Sequence, residues 1–219
     1  MIPLRALLLR RRPATVTALL IGINLFCFLF EIAQPPYLER AFVDRYALVP
    51  DHFRASALLT SMFLHGGWMH LIGNMWFLWV FGSHVEEALG SAKFTLFYLL
   101  GGIASAFVQF ILNLGSPIPT LGASGAIACV MGGFLLLYPR ARIVTLVFII
   151  VFITTVELPA AFMLVYWFAI QLLSGIGSLS TFTDQGGVAW FAHVGGFLAG
   201  LLLIRLFAGS RPARTRYSY

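Results

Sequence analysis

Six long apolar stretches follow one another along this chain of 219 residues, and they constrain its fold more than any other feature. They cover residues 14–33, 66–83, 93–114, 122–138, 158–178 and 187–207. Each approaches the ~20 residues that a helix needs to cross a ~30 Å hydrocarbon core. Because 60% of the residues are hydrophobic and only 10% are charged, a water-soluble domain is excluded. The sequence therefore predicts an all-α membrane protein, a bundle of six transmembrane helices.

A further apolar stretch, residues 143–156, is excluded as a seventh span by the distribution of positive charge. With six spans, all of the 14 basic residues except Arg40, Arg45 and Arg54 lie on the side of the two chain termini. A seventh span would move the basic C-terminal tail to the opposite side and reverse the last helix. Positive residues collect on the cytoplasmic side, so six spans with both termini cytoplasmic are favoured. The sequence predicts that 143–156 is a re-entrant or interfacial segment.

The charge pattern also gives the expected domain organisation and location. We expect a short cytoplasmic basic tail at 1–13, a six-helix domain at 14–207 and a second short cytoplasmic basic tail at 208–219. The basic residues cluster beside apolar segments, so membrane orientation explains them better than a nucleic-acid partner does. The sequence predicts a multi-pass protein of the cell membrane, either the plasma or the inner membrane. It is expected to contact the lipid bilayer and to bind no nucleic acid.

Two polar residues lie inside apolar stretches, where polar groups are costly and point to function. Ser124 belongs to the Gly-Ala-Ser-Gly motif at 122–125, and His193 belongs to the Ala-His-Val-Gly-Gly motif at 192–196. A serine hydroxyl attacks a carbonyl only when a neighbouring base removes its proton. In the six-span topology both residues lie at similar depth below the outer surface, with His193 about two turns into the sixth helix. The pair predicts a serine protease that works within the membrane.

Small residues explain how the serine and the histidine would meet. His193, Gly196 and Gly200 follow spacings of three and four, so they share one face of the sixth helix. Gly122 and Gly125 flank the serine in the fourth helix. Small residues at such positions let two helix backbones approach closely. We expect the fourth and sixth helices to pack together and to bring the hydroxyl within hydrogen-bond reach of the imidazole.

The second apolar stretch supplies candidate donors for an oxyanion hole. His70 and Asn74 are four residues apart and project from the same helical face. Together with the backbone N–H of Ser124 they would make three donors for the negative charge that forms after attack. His65 comes earlier, in the turn into the helix, and we expect it to brace the loop by hydrogen bonding.

These motifs, taken in this order over about residues 14–207, resemble the rhomboid intramembrane serine proteases. The resemblance implies a six-helix bundle whose Ser/His dyad, without a third acidic member, cuts transmembrane substrates near the outer membrane surface. It implies that Ser124 is the nucleophile, that His193 is first the general base and then the general acid, and that His70 and Asn74 are oxyanion donors. Gly122 would permit the close approach of backbone around the attacked carbonyl. The short tails suggest a minimal bacterial or archaeal form.

Two departures from the family pattern concern the first loop and the histidine. Family members often carry a Trp-Arg pair in the long first loop, whereas residues 34–60 contain no Trp. Many also have a Tyr four residues after the serine, whose ring stacks on the catalytic histidine, but here that position is Ala128. We expect other packing to orient His193, for example an aromatic side chain such as Trp190 or Phe191.

Two glutamates that follow the second apolar stretch are assigned no functional role. Glu86 and Glu87 lie near the predicted cytoplasmic end of the second helix. We expect them to pair with Lys93 or to face solvent.

Other functional classes are weighed against the protease hypothesis. A non-proteolytic rhomboid-like protein that binds membrane helices as a chaperone or quality-control factor would be favoured if Ser124 or His193 were absent, and both are present. A metal enzyme using His65, His70 and His193 lacks a His-Glu-x-x-His helix or a carboxylate cluster, so no metal and no cofactor are predicted. A transporter would show an inverted repeat, and none is visible. The expected partners are therefore single-span or polytopic membrane-protein substrates.

Overall fold

Nine α-helices make up most of a computed structural model of the chain, which describes residues 1–149, 152–178 and 188–208. The helices are α1 (Thr15–Ile32), α2 (Pro36–Tyr46), α3 (Ala57–Thr60), α4 (Trp68–Phe77), α5 (Ser83–Leu89), α6 (Ser91–Leu112), α7 (Ser124–Leu137), α8 (Ala160–Ser178) and α9 (Trp190–Ala208). Within those residues, α1, α6, α8 and α9 are long and apolar enough to cross a membrane. The mostly helical membrane fold agrees with the sequence analysis.

The second and fourth predicted spans take less regular forms than the other four. The second, 66–83, contains α4 and then a π-helical turn at Leu78–Gly82, after which α5 follows without a break. The fourth is α7, which is apolar but has only 14 residues. The count of six spans therefore stays a prediction, with four helices meeting the length and hydropathy that a span requires.

Residues 143–149 and 152–156 form strands within a three-stranded antiparallel sheet. Strand β1 (Ile2–Ala6) pairs with β2 (Arg142–Ile149), which pairs with β3 (Phe152–Pro159). The stretch is rich in Val, Ile and Thr, whose branched side chains favour extended backbone over helix. The sequence analysis excluded a seventh span but did not identify these strands, and it described residues 2–6 only as part of a tail. A re-entrant or interfacial position for the hairpin remains a prediction.

Helix α7 lies at the centre of the bundle because its small residues allow neighbours to approach from several sides. All residues from Gly125 to Phe134 are buried. A Cβ atom added at Gly196 would collide with the carbonyl oxygen of Gly125, and one at Gly200 would collide with that of Cys129. The backbones of α7 and α9 are thus in direct contact along the face that the glycine spacing predicted.

Gly200→Val should weaken this helix contact. The nearest obstacle to its side chain is backbone, which cannot rotate away, and overpacking of this kind costs about 1–3 kcal/mol. We expect the midpoint of thermal unfolding in detergent to fall by roughly 2–12 °C. Gly22→Val in α1 is the matched control, since a Cβ there meets nothing within 4 Å. An equal change in both variants would show that the α7–α9 contact is not the cause.

Glu86 has a structural role that the sequence analysis missed. Only 3% of the residue is exposed. Its carboxylate accepts hydrogen bonds from the backbone N–H groups of Val16 and Thr17 at 2.9 and 2.8 Å and from the Ser91 hydroxyl at 2.9 Å. It therefore satisfies the free N–H groups at the start of α1 and links them to the start of α6. The expected pairing of Glu86 with Lys93 was wrong, because the Lys93 ammonium donates to the Phe207 carbonyl at 3.1 Å.

The first loop is anchored through its backbone, without the tryptophan that many family members carry. Leu48 is fully buried and exchanges two backbone hydrogen bonds with Thr120, at 2.9 and 2.8 Å. The Gly122 N–H donates to the Ser61 carbonyl at 2.9 Å. Both contacts join the first loop to the segment just before α7. The loop thus helps to position the backbone that leads into Ser124.

Candidate active site

The structure brings Ser124 and His193 together at the ends of two packed helices. Ser124 is the first residue of α7, and His193 is the fourth residue of α9. The histidine Nε2 atom and the serine Oγ atom are 2.8 Å apart, which is hydrogen-bond distance. The sequence analysis expected His193 about two turns into this helix. Since α9 begins at Trp190, the residue lies instead in the first turn. A hydroxyl and an imidazole in this arrangement can act as nucleophile and base.

Ser124 lies at the N-terminus of α7, where backbone N–H groups can stabilise a negative charge. Ala123 is the N-cap, and the first hydrogen bond of the helix runs from the Ile127 N–H to the Ala123 carbonyl. The first N–H groups of a helix, which here include that of Ser124, have no partner within the helix. They carry partial positive charge that favours an anion. An oxyanion formed next to the serine would lie close to these groups.

His70 and Asn74 lie over Gly122, two residues before the serine. A Cβ atom added at Gly122 would lie 2.7 Å from the His70 Nε2 atom and 3.6 Å from the Asn74 Nδ2 atom. The Gly122 φ angle of 122° is also one that residues with side chains rarely adopt. The Asn74 Nδ2 atom is buried and has no hydrogen-bond partner among the described residues. An unused donor beside a nucleophile is suited to stabilising negative charge.

A cavity of about 1320 Å³ connects these groups. Ser124 and His193 line it together with His70 and Asn74 on α4 and Trp167 on α8. Its loop side carries polar side chains from the segment between α6 and α7: Asn113, Ser116 and Thr120. The polar side chains on the loop side and the volume of the cavity allow water to reach the serine, which hydrolysis requires.

His65 lies behind His70 and is not among the residues that line the cavity. Its ring packs edge-on against the His70 ring with the centroids 5.2 Å apart, and 1% of the residue is exposed. The His65 backbone N–H donates to the buried Glu31 carboxylate at 3.2 Å. The His65 ring therefore supports His70 by packing. The hydrogen bond by which we expected His65 to brace the loop is made by its backbone N–H. Neither ring nitrogen of His65 has a partner within the described part of the chain.

Three polar residues of the site were given no role in the sequence analysis. On α6, the Ser105 hydroxyl donates to the Ala192 carbonyl at 2.7 Å, and the Gln109 amide oxygen accepts from the Ala192 N–H at 3.1 Å. On α8, the Gln171 amide oxygen lies 2.6 Å from the His193 Nδ1 atom. The available signal was the presence of buried amides and a hydroxyl in apolar helices, but their partners depend on how the helices pack.

Comparison with known proteins identifies the family. A family model described as the Rhomboid domain matches residues 52–210, which is most of the chain. This chain belongs to the rhomboid family. The resemblance inferred from the motifs is thereby confirmed.

Curated relatives of this rhomboid include mitochondrial and bacterial proteins. It is 30% identical over 183 residues to the presenilin-associated rhomboid-like protein, mitochondrial, of Bos taurus, which covers 81% of this chain and 45% of the relative. It is 29% identical over 199 residues to rhomboid protein 1, mitochondrial, of Saccharomyces cerevisiae, covering 88% of this chain and 53% of the relative. It is 44% identical over 78 residues to rhomboid protease GluP of Bacillus subtilis, covering 36% and 15%. The chain spans about half the length of the first two relatives.

In this rhomboid the aromatic neighbours of His193 come from α8 and α9. The buried Ala128 offers no ring at the position where many family members have a Tyr. The Trp167 ring on α8 lies 5.7 Å from the imidazole between centroids, and the Trp190 ring lies edge-on at 6.5 Å. Trp190 was expected as a neighbour, whereas Trp167 was not.

Proposed function

We propose that this rhomboid is an intramembrane serine endopeptidase in which the dyad of Ser124 and His193 cleaves transmembrane-helix substrates near the outer membrane face. The observation that carries the proposal is the 2.8 Å contact between the serine Oγ and the histidine Nε2 at the wall of a cavity that both polar and apolar residues line. Family membership and a relative named as a protease support the same class of reaction.

The proposed chemistry is acyl transfer in two stages. The Ser124 Oγ attacks the carbonyl carbon of the scissile peptide bond while its proton passes to the His193 Nε2. The C–N bond of the tetrahedral intermediate then breaks, and Nε2 donates the proton to the leaving amine. An acyl-enzyme ester remains. Water then attacks the ester carbon and gives a proton to Nε2. Collapse of this second intermediate frees the carboxylic acid product, and the proton goes back to the serine oxygen.

The proposed oxyanion hole combines donors from two helices. The backbone N–H of Ser124 comes from α7, and the side chains of His70 and Asn74 come from α4. Their positions around Gly122 support this assignment, because the missing side chain lets His70 and Asn74 lie close to the backbone that leads into Ser124. Preorganised donors stabilise developing charge without the reorganisation that water molecules would need.

The proposed substrates are single-span or polytopic membrane proteins. The cavity is lined by residues of α4 and α8, and the bundle exposes many large apolar side chains, which supports a substrate that comes from the bilayer. A helical peptide bond is shielded by its own hydrogen bonds, so the segment to be cut must unwind locally. The polar loop side of the cavity supports unwinding at the outer boundary, where the released N–H and C=O groups find partners.

The proposed topology places both termini and most basic residues on the cytoplasmic side of a six-span protein. The apolar helices indicate a multi-pass membrane protein. The expected plasma-membrane location receives no support from the relatives, two of which are named as mitochondrial. The charge asymmetry supports the shared side of the termini, whichever membrane holds the protein.

The test is cleavage of a single-span substrate by the purified wild-type protein in liposomes, with a serine-reactive fluorophosphonate probe run alongside. We expect one cut near the end of the substrate span, activity that survives a strong chelator, and probe attached to the peptide that contains Ser124. A protein that binds the substrate helix but neither cuts it nor takes up the probe would support the alternative, a non-proteolytic rhomboid-like helix-binding or quality-control protein. Loss of cleavage with the chelator would point to a metal enzyme instead.

A further inference from the structure

The second ring nitrogen of His193 has a partner of its own on a different helix from the serine. The Nδ1 atom lies 2.6 Å from the Gln171 side-chain oxygen on α8. The Gln171 residue is 7% exposed, so water does not compete freely for this bond. Serine, imidazole and amide therefore form a continuous hydrogen-bonded chain from α7 through α9 to α8.

The chemistry of the amide decides which nitrogen carries hydrogen. An amide oxygen can only accept, so the His193 Nδ1 atom must be the donor in this bond. In a neutral imidazole the other nitrogen then has a lone pair and no hydrogen. The Nε2 atom is therefore ready to accept the proton of the Ser124 hydroxyl. The opposite tautomer would present an N–H to the serine and could not act as a base.

Helix α8 supplies the aromatic ring and the hydrogen-bond acceptor that contact the His193 ring. Ala128 on α7 has only a methyl side chain, whereas Trp167 and Gln171 are one turn apart on α8 and both contact the His193 ring. Gly175, one turn further, lies against Phe191 and Trp190, where an added Cβ would be 3.2–3.3 Å from their side chains. One face of α8 is thus fitted to the first turn of α9.

We propose that Gln171 is a positioning residue that holds His193 in the tautomer and orientation needed to deprotonate Ser124. This rests on the proposed protease function, and it extends the Ser/His dyad to a third residue that is not an acid. During attack the serine proton moves to Nε2, while the Nδ1 hydrogen stays on the ring and remains donated to the Gln171 oxygen. No proton reaches the amide. Activity therefore depends on α8 keeping its place beside α9.

Gln171→Leu tests the role because leucine is of similar size and has no acceptor. We expect kcat for a single-span substrate to fall about 10- to 100-fold with little change in KM, since the buried Nδ1–H would be left without a partner. The rate of fluorophosphonate labelling should fall in parallel. Gln171→Glu restores an acceptor oxygen at the same reach and should recover most of the rate. Gln34→Leu, which removes an exposed amide that donates to the Phe30 carbonyl, is the matched control and should leave the rate unchanged.

A spectroscopic readout separates positioning from a general effect on folding. The protein has five histidines, so the ¹⁵N signals of His193 can be assigned by difference from His193→Ala. We expect wild type to show hydrogen on Nδ1, and Gln171→Leu to lose that preference while the variant stays folded at the assay temperature. An unchanged kcat in Gln171→Leu would overturn the proposal. The proposal would also be overturned if kcat fell equally in Gln171→Glu and Gln171→Leu while the His193 tautomer stayed as in wild type in both variants.

The same experiment distinguishes failure of this inference from failure of the proposed function. If wild type neither cleaves nor labels, the protease proposal fails, but the tautomer measurement does not depend on activity and still reports on the Gln171 bond. If wild type cleaves and labels while Gln171→Leu does so equally well, only the positioning role fails.

Discussion

Ser124→Ala is expected to abolish substrate cleavage and fluorophosphonate labelling together. The variant lacks the protein atom that the mechanism uses to form a covalent bond with the substrate. Loss of a nucleophile in a serine protease costs about 10⁴–10⁶ in kcat, which leaves only what the oxyanion donors contribute without it. The substitution removes one oxygen at a partly exposed position, so the fold should survive. Binding of the substrate helix, measured by crosslinking in liposomes, should persist.

His193→Ala belongs to the same prediction because the hydroxyl is a weak nucleophile without a base. We expect a loss of kcat of similar size, and a double variant with Ser124→Ala that is no slower than either single variant. Residues that act as one unit show this lack of additivity, whereas independent residues would multiply their effects. Kinetics on the two single variants and the double variant, all at matched protein concentration, decide between these outcomes.

Two controls match these substitutions. Ser56→Ala removes an exposed hydroxyl in the first loop, and His84→Ala removes a buried imidazole that is not among the cavity-lining residues. Both should retain wild-type kcat per folded molecule. Cleavage of the same bond by Ser124→Ala would contradict the assignment of the nucleophile. Full activity in His193→Ala would show that another group takes the serine proton.

The sequence was sufficient to predict a mostly helical membrane fold and to single out Ser124 and His193 as candidates, for physical reasons. Long apolar stretches are distinct from other protein segments because the bilayer fixes their length. Ser124 and His193 stood out since polar groups are costly in such stretches, and the glycine spacing around them indicated which helix faces would meet. These signals are local, and the structure brings the residues together as the spacing predicted.

Features that depend on contacts between distant segments could not be predicted in the same way. A short apolar run such as 143–156 suits a buried strand or a membrane-associated segment equally well, and only pairing with residues 2–6 distinguishes them. Glu86 was expected to pair with Lys93 or to face solvent because its partners, the first N–H groups of α1, are about 70 residues away in the chain. Gln171 was visible as an amide in an apolar helix, yet its contact with His193 requires the packing of α8 against α9.

His70→Ala and Asn74→Ala form the second prediction, which concerns the transition state. Each variant should lower kcat by about 10² to 10³ while leaving KM nearly unchanged, because an oxyanion donor acts after the carbonyl has been attacked. Fluorophosphonate labelling should slow as well, since the phosphoryl oxygen of the probe would occupy the same position. The Asn74 donor has no other partner among the described residues, so its removal should cost little stability.

The controls for these donors are buried groups of the same kind elsewhere in the bundle. Asn24→Ala removes a buried amide that donates to the Leu20 carbonyl, and His84→Ala again serves for the imidazole. Because both controls remove buried groups, a loss of stability could lower their activity. The thermal midpoint of each variant is therefore measured beside its kcat. A rise in KM with kcat intact would assign His70 and Asn74 to substrate binding, since donors that hold the ground state and the transition state equally change affinity and not turnover. A fall in kcat confined to these two variants, with both controls unchanged, would place the oxyanion within reach of the His70 and Asn74 side chains, which lie close to Gly122.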